Sequence, residues 1–422
     1  MPQSVATRAS GTKLGRPTAF WGLAVTLGLL LFASSAPSPL YIVYQSEWHF
    51  SDITLTSVFA VYALALIVSL VIAGSVSDHV GRRPTLLAGL AIEMVAMLLF
   101  AEAHSVLWLV AARILQGVAT GIAMGAISAA LLDLQPEHRP RLGALLGVAA
   151  PLSGIASGAL GAGLLIQYGP DPTRLVFWVL FGGFVLAFLF AMAIPETMRR
   201  DGPWRHSLKP RIAVPVPLRG AFVAAIPCLV ATWALGGLVL SLGPSLIASV
   251  LGDTSHIAGG LPIFVMAGIS ALASVRLRDA HARATARGGL TALIAGVVVA
   301  LAALGAGSIG LFLAGAAIAG LGFGPAFAGA FRALANRAPD DQRAGLVSAI
   351  LAVSYLAFSL PAVAAGAAST QLGLHKTANI YGVVLVALAV IALALSRQLQ
   401  DPQSEARGRG GFVPPPAIIA RD

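Results

Sequence analysis

Charge is scarce in this sequence. Asp, Glu, Lys and Arg make up 10% of its 422 residues, where a soluble chain carries about 25%. With 57% of the residues hydrophobic, that scarcity excludes a water-soluble globule of this size. Cysteine is nearly absent. Cys228 stands alone, which excludes an intramolecular disulfide and a multi-cysteine metal site, and inside an apolar run it reads as packing. No phosphate-cradling Gly-Lys-Ser/Thr loop occurs, and no stretch is long and polar enough for a large soluble domain. ATP is therefore not expected to drive this protein directly. No apolar run holds an acidic cluster that would mark a path for multivalent cations. The eight histidines lie almost wholly between runs or at their ends, without metal-ligand spacing. No nucleophile–base pair or metal set points to an enzyme, and no cofactor or metal is expected.

What the chain has in abundance is apolar runs of roughly 20 residues, the length a helix needs to cross the hydrocarbon core. Twelve are legible, at about 20–43, 55–77, 85–103, 106–132, 141–168, 173–194, 219–247, 256–275, 289–307, 309–331, 345–370 and 377–396. None has the alternating polarity of a barrel strand, so an all-α membrane protein with twelve transmembrane helices is predicted. The net charge of +10 would suit nucleic acid, but its distribution does not. If the N-terminus is cytoplasmic, three of the 27 basic residues fall away from the cytoplasmic side: Arg113, Arg174 and Lys376. The opposite loops carry Glu47, Asp52, Glu102, Asp171 and Asp253. This positive-inside pattern predicts a multi-pass protein of the cell inner membrane with both termini cytoplasmic. The expected partners are the lipid bilayer, a small-molecule substrate and protons, with no nucleic acid, and the chain is expected to be a monomer. Ala33-Ser-Ser-Ala36 resembles a cleavage site, but the run continues through Tyr44, too far for a signal peptide.

The longest loop between runs, from Pro195 to about Leu218, divides six spans from six. A weak repeat supports the division. Asp78 and Arg82 recur as Asp279 and Arg283, at an offset of 201; Arg141 and Gly143 recur as Arg343 and Gly345, at 202; Gly117 and Gly121 recur as Gly320 and Gly324, at 203. Each pair occupies an equivalent place in the predicted topology. The expected organisation is a cytoplasmic segment at 1–19, a six-helix bundle at 20–197, a cytoplasmic loop at 198–218, a second bundle at 219–396, and a disordered cytoplasmic tail at 397–422. Two six-span halves in parallel repeat are a transporter architecture, with the solute site between them near the midplane.

The loop after span two reads Gly74-Ser-Val-Ser-Asp78-His-Val-Gly81-Arg82-Arg83-Pro84. Gly74 allows close helix contact and Gly81 a tight turn. Asp78 is an acceptor suited to a helix N-terminus or an arginine, and Arg82 and Arg83 anchor the face. The plainer reading is a set of topology-setting charges. The loop closely resembles the signature between helices two and three of the major facilitator superfamily. That resemblance implies the superfamily's fold, two pseudo-symmetric six-helix bundles. It also implies an inter-half latch, with Asp78 meeting the start of span eleven near Gly345, and Arg82 or Arg83 meeting Asp133.

Within the spans, Arg113-Ile-Leu-Gln116-Gly117 resembles the family's fourth-helix motif, which implies a role for Arg113 in proton coupling. An arginine inside a span costs roughly 2.5–3.5 kcal/mol, so it should face a cavity or a partner; snorkelling outward is the alternative. Glu93 in span three lies at nearly the same depth, so an ion pair with Arg113 is geometrically allowed. Glu93 then reads either as a proton-titrating group or as half of a structural pair. Span five carries Gly147, Pro151, Gly154 and Gly158, a small-residue face with a bend. It resembles the antiporter fifth-helix motif imperfectly, with Ala150-Pro151 in place of Gly-Pro; ordinary packing is the alternative. Pro195-Glu196-Thr197 resembles the end of span six in drug exporters. Pro37 and Pro39 interrupt span one and free carbonyls, a feature favoured where helices line a cavity. Candidate substrate-binding residues are Tyr41, Tyr62, Gln116, Trp233, Phe327 and Tyr355, with Phe264 as a further cavity residue, whereas Tyr44 reads as an interfacial anchor. The resemblance is to drug:proton antiporter-like twelve-helix members and implies proton-coupled efflux of drugs or metabolites. Uptake of a sugar or organic acid by symport, and a non-transporting sensor on the same scaffold, are the alternatives.

Overall fold

The computed structural model describes residues 14–73, 76–139, 141–198, 212–253 and 255–396, and among these there is no strand. The first half of the chain forms α1 (Arg16–Ser35), α2 (Pro37–Trp48), α3 (Asp52–Ala73), α4 (Val76–Val80), α5 (Arg82–Ala101), α6 (Val106–Leu134), α7 (Leu142–Tyr168) and α8 (Leu175–Ala193). The second forms α9 (Arg219–Ser241), α10 (Gly243–Ser249), α11 (His256–Arg276), α12 (Ala282–Ala306), α13 (Ile309–Ala335), α14 (Asp340–Leu372) and α15 (Leu374–Leu395). Twelve segments are long and apolar enough to cross a membrane, with α1 and α2 forming one of them. Most of the expected central loop, the N-terminal residues before 14 and the tail after 396 lie outside the described residues, as does Gly74.

The two bundles repeat each other in detail. The first span of each half ends in a short second helix, α2 and α10, with proline in its first turn. Proline has no N–H to continue the hydrogen-bond ladder, so the helix breaks there. The glycine pairs also repeat. A Cβ on Gly117 of α6 would lie 2.5 Å from the Tyr62 carbonyl oxygen of α3, and one on Gly320 of α13 would lie 2.5 Å from the Met266 carbonyl of α11. Between helices in lipid, association rests on packing rather than on expulsion of water, so small residues decide which backbones meet. The glycine pairs at offset 203 are therefore matching helix contacts, whereas Gly143 meets Leu131 and Gly345 meets Ala213.

Across the two halves, α3 packs on α14 and α7 on α11. On the face carrying Glu47 and Asp253 the bundles are tightly closed. Asp52 accepts hydrogen bonds from Gln45 of α2 at 2.9 Å and from Ser369 of α14 at 2.7 Å. Added Cβ atoms on Gly163 and Gly366 would lie 2.7 Å from the carbonyls of His256 and Asp52. Toward the arginine-rich face the halves part around a crevice of about 470 Å³ between α7, α11 and α13. An ion pair from Arg141 to Asp279 at 3.6 Å crosses there, while the Ala213 N–H donates to the Gly345 carbonyl at 3.3 Å on the second-half side.

Candidate functional site

The polar centre of the first bundle begins with the break in span one. Pro37 lacks the N–H that would have bonded the carbonyl of Ala33, four residues back. Gln116 of α6 takes that carbonyl with its side-chain Nε2 at 3.0 Å. Arg113, one turn earlier, is fully buried. Its Nε donates to the Tyr41 hydroxyl at 2.7 Å, and Nη1 donates to the Ser34 carbonyl at 3.0 Å and to Gln116 Oε1 at 2.6 Å. Rings of Tyr41, Phe59, Tyr62 and Phe100 surround the guanidinium at 5.2–5.9 Å from its carbon, within the range of cation–π attraction. The outward-snorkelling alternative is thereby overturned, because the side chain is enclosed on every side.

Glu93 is also fully buried, but it does not pair with Arg113 directly. Gln116 stands between them, donating from Nε2 to Glu93 Oε1 at 3.3 Å while its own oxygen accepts from Arg113. No carboxylate among the described residues lies within 4 Å of the Arg113 nitrogens. Arg113 Nη2 and Glu93 Oε2 have no hydrogen-bond partner among the described residues. A buried polar atom left unpaired carries a substantial desolvation cost, so this centre is built with one donor and one acceptor unfilled.

The other candidates divide. Trp233, Phe327 and Tyr355 come together, with Trp233 centroids 5.4 Å from Phe327 and 4.8 Å from Tyr355. Phe358 joins them and meets Phe59 of the first half at 5.0 Å, while Tyr62 and Tyr355 share one packed cluster. These aromatics form a packed wall across the interface beside Arg113. Tyr41 and Gln116 stand apart from that wall, since both are committed to Arg113. Phe264, expected in a cavity, is 39% exposed on the outside of its helix. Tyr44, expected at the interface with lipid headgroups, is buried, stacks on Trp48 and donates to the Thr173 carbonyl at 3.3 Å.

In α7, Gly154 and Gly158 seat the backbone of α1 at Gly28 and Phe32, whereas Gly147 has open space where a Cβ would go. Pro151 lies inside the helix. At the loop before α5, Asp78 is ion-paired with Arg82. Arg82 also donates to Ser77 at 2.6 Å, and its Nε lies 3.5 Å from Asp133. The structure does not bring Asp78 to Gly345, which faces Ala213 instead. Sequence reasoning missed the organiser of this corner, Glu196. Its carboxylate accepts from the backbone N–H groups of Arg82 at 2.9 Å and Arg83 at 3.1 Å, capping the positive end of α5. Gly81 has φ +109°, and a Cβ there would lie 2.7 Å from Glu196 Oε2, so glycine is needed for both the turn and the cap. Thr197 donates to Asp133 at 2.8 Å. Arg83 enters this cluster through its backbone N–H.

Four likenesses, one to a family and three to individual proteins, accord with this geometry. A sequence model of the family described as Major Facilitator Superfamily matches residues 23–280. The chain is 33% identical over 150 residues to Multidrug resistance protein D of Escherichia coli (strain K12), a match covering 35% of this chain and 37% of that protein. It is 27% identical over 167 residues to Multidrug resistance protein MdtL of Klebsiella pneumoniae subsp. pneumoniae, covering 39% of this chain and 40% of that one. These matches span about two fifths of the length of the curated relatives. Among solved structures, a bacterial homologue of the human lysosomal transporter Spinster, inward-facing and unoccupied, aligns over 93% of this chain and 100% of its own with a TM-score of 0.71 at 15% identity. A likeness at that identity is one of fold.

Proposed function

Because the chain belongs to the Major Facilitator Superfamily, a family of membrane transporters, we propose that it exports a small organic solute across the cell inner membrane in exchange for protons. Both termini are then cytoplasmic, and the arginine-rich face looks into the cell. The observation that carries the reading is the buried Arg113–Gln116–Glu93 chain, with one oxygen of Glu93 unpartnered beside the inter-half aromatic wall. A carboxyl so placed can take or release a proton while Gln116 relays the change to Arg113 and Tyr41. The wall of Tyr62, Trp233, Phe327 and Tyr355 supplies ring faces to the solute. Alternating access proceeds by one bundle rocking on the other. The tight face bearing Asp52 and Ser369 then opens as the crevice closes, and Asp78 leaves Arg82 to engage the second half. The names of the relatives that match part of the chain favour export over uptake.

Reconstitution in liposomes with a pH-sensitive dye inside tests this reading. Lipophilic cations, sugars, organic acids and amino acids are added in turn. Proton movement opposite to one solute class is the expected result. Co-directional movement would replace antiport with symport, and silence toward every class would favour a sensor on the transporter scaffold.

A further inference from the structure

The crevice on the arginine-rich face has a chemistry of its own. Its volume of about 470 Å³ falls within the range of small-molecule pockets, roughly 300–1,000 Å³. Three guanidinium groups line it, on Arg141, Arg278 and Arg332, against one carboxylate, Asp279. Asp279 is already engaged, by Arg278 at 3.0 Å and Arg141 at 3.6 Å. Arg332 is fixed in place differently. It donates to the Arg278 carbonyl at 2.6 Å, to the Ala328 carbonyl at 3.3 Å and to the Thr285 hydroxyl at 3.4 Å, and no carboxylate among the described residues lies within 4 Å of it. At the inner end Ser274 is more than nine-tenths buried, and its hydroxyl has no hydrogen-bond partner among the described residues. Thr285 and Asn336 add polar groups to the lining, and Val148 of α7 and Leu277 contribute apolar surface.

We propose that this crevice binds a small organic anion with an apolar body, and that such an anion is the solute loaded from the arginine-rich face. The second clause rests on the transport reading above. Arg332, the least exposed of the three guanidinium groups and not in ion-pair contact with Asp279, receives the anionic group. Ser274 supplies a further donor, and Val148 and Leu277 cover the apolar body. With three guanidinium groups against one carboxylate the cleft is net positive, which raises the local concentration of anions, so anions gather at the mouth before binding. The proposal contrasts with the lipophilic cations commonly tried first on an exporter.

Equilibrium fluorescence binding to the purified full-length protein in dodecyl maltoside tests the charge preference. Three probes share a dansyl body: dansylglycine is anionic, dansylglycinamide neutral and dansylcadaverine cationic. Dansylglycine is expected to bind about tenfold more tightly than dansylcadaverine, and Arg332→Gln to weaken dansylglycine by about tenfold with the neutral probe unaffected. Arg332→Lys recovers part of the loss, and Arg174→Gln on the opposite face changes nothing. If Arg332→Gln does not purify as a folded protein, Arg278→Gln carries the same comparison. Equal binding of all three probes, tighter binding of the cation, or unaltered affinity in both variants overturns the proposal. A repeat in nanodiscs separates the sources of the anion. Dansylglycine binding that survives in phosphatidylglycerol supports a solute site, and its loss there with retention in phosphatidylcholine assigns the arginines to a lipid headgroup and overturns it. Charge-selective binding without proton-linked flux would sink the transport reading and leave the site standing; flux without charge-selective binding would do the reverse.

Discussion

Replacing Glu93 by glutamine removes an acid from the centre of the first bundle while keeping its shape. In the structure Glu93 accepts a single long hydrogen bond, 3.3 Å from Gln116, and a glutamine carbonyl can accept the same bond. The stability change should therefore stay near about 1 kcal/mol, the net worth of one neutral hydrogen bond. The effect on coupling is far larger. A proton falling through about 100 mV releases roughly 2.3 kcal/mol, and about 1.4 kcal/mol is tenfold in an equilibrium constant. One proton exchanged per solute thus sustains a solute gradient of roughly fortyfold. With Glu93→Gln that gradient should collapse to about unity, since no group remains at this position to carry the proton. Exchange of labelled for unlabelled solute without a pH gradient should persist, because the aromatic wall is untouched. The assay compares pH-driven accumulation and exchange in the same liposomes, with thermal unfolding in detergent as the check on folding. Full pH-driven accumulation by Glu93→Gln would refute the coupling role of this carboxyl.

Three further outcomes follow from the same geometry. Tyr41→Phe deletes the acceptor of a fully buried charged donor, so thermal or denaturant unfolding should show a loss of about 1.5–3 kcal/mol; unaltered stability would mean that another acceptor replaces the phenol. Asp78→Asn breaks a partly exposed pair with Arg82, costing under about 1 kcal/mol, so membrane expression should remain normal while liposome transport falls; unchanged transport would remove the latch role. Gly366→Val sets a side chain where a Cβ lies 2.7 Å from the Asp52 carbonyl, which should hold the tight face open. A cysteine introduced at buried Ser38, in a Cys228→Ser background, should then react faster with an impermeant maleimide applied from that face, and an unchanged rate would show that the face tolerates the bulk.

Much of the architecture was legible because lipid imposes a one-dimensional rule. Backbone groups must be paired within each span, so apolar length alone locates the helices. The expected run at 219–247 stops at Ser241 and resumes at Gly243 as α10, because hydropathy does not register a break. Pro244 marks it. The glycine offset of 203 translated directly into helix contacts, since a missing side chain has one spatial meaning. Polar side chains were less legible. Equal depth suggested a direct Glu93–Arg113 pair, but depth carries no information about azimuth, and Gln116 occupies the line between them. Glu196 caps a helix 114 residues away in sequence; an acid ending a span on the arginine-rich face was the available signal. Tyr44 and Phe264 failed for the related reason that hydropathy cannot tell a buried aromatic from a lipid-facing one.

The proline at position 37 has a mechanical consequence. A backbone amide holds its carbonyl rigidly, because both belong to one helix. The Ala33 carbonyl is held instead by the swivelling side chain of Gln116, and the neighbouring Ser34 carbonyl by Arg113. The joint between α1 and α2 is thus clamped from outside the helix. On the proposed transport cycle, a proton on Glu93 or a solute against Tyr62 that turned Gln116 would loosen the clamp and alter the bend of span one. Chemistry at the buried centre would thereby be geared to the angle of a helix that reaches the opposite surface.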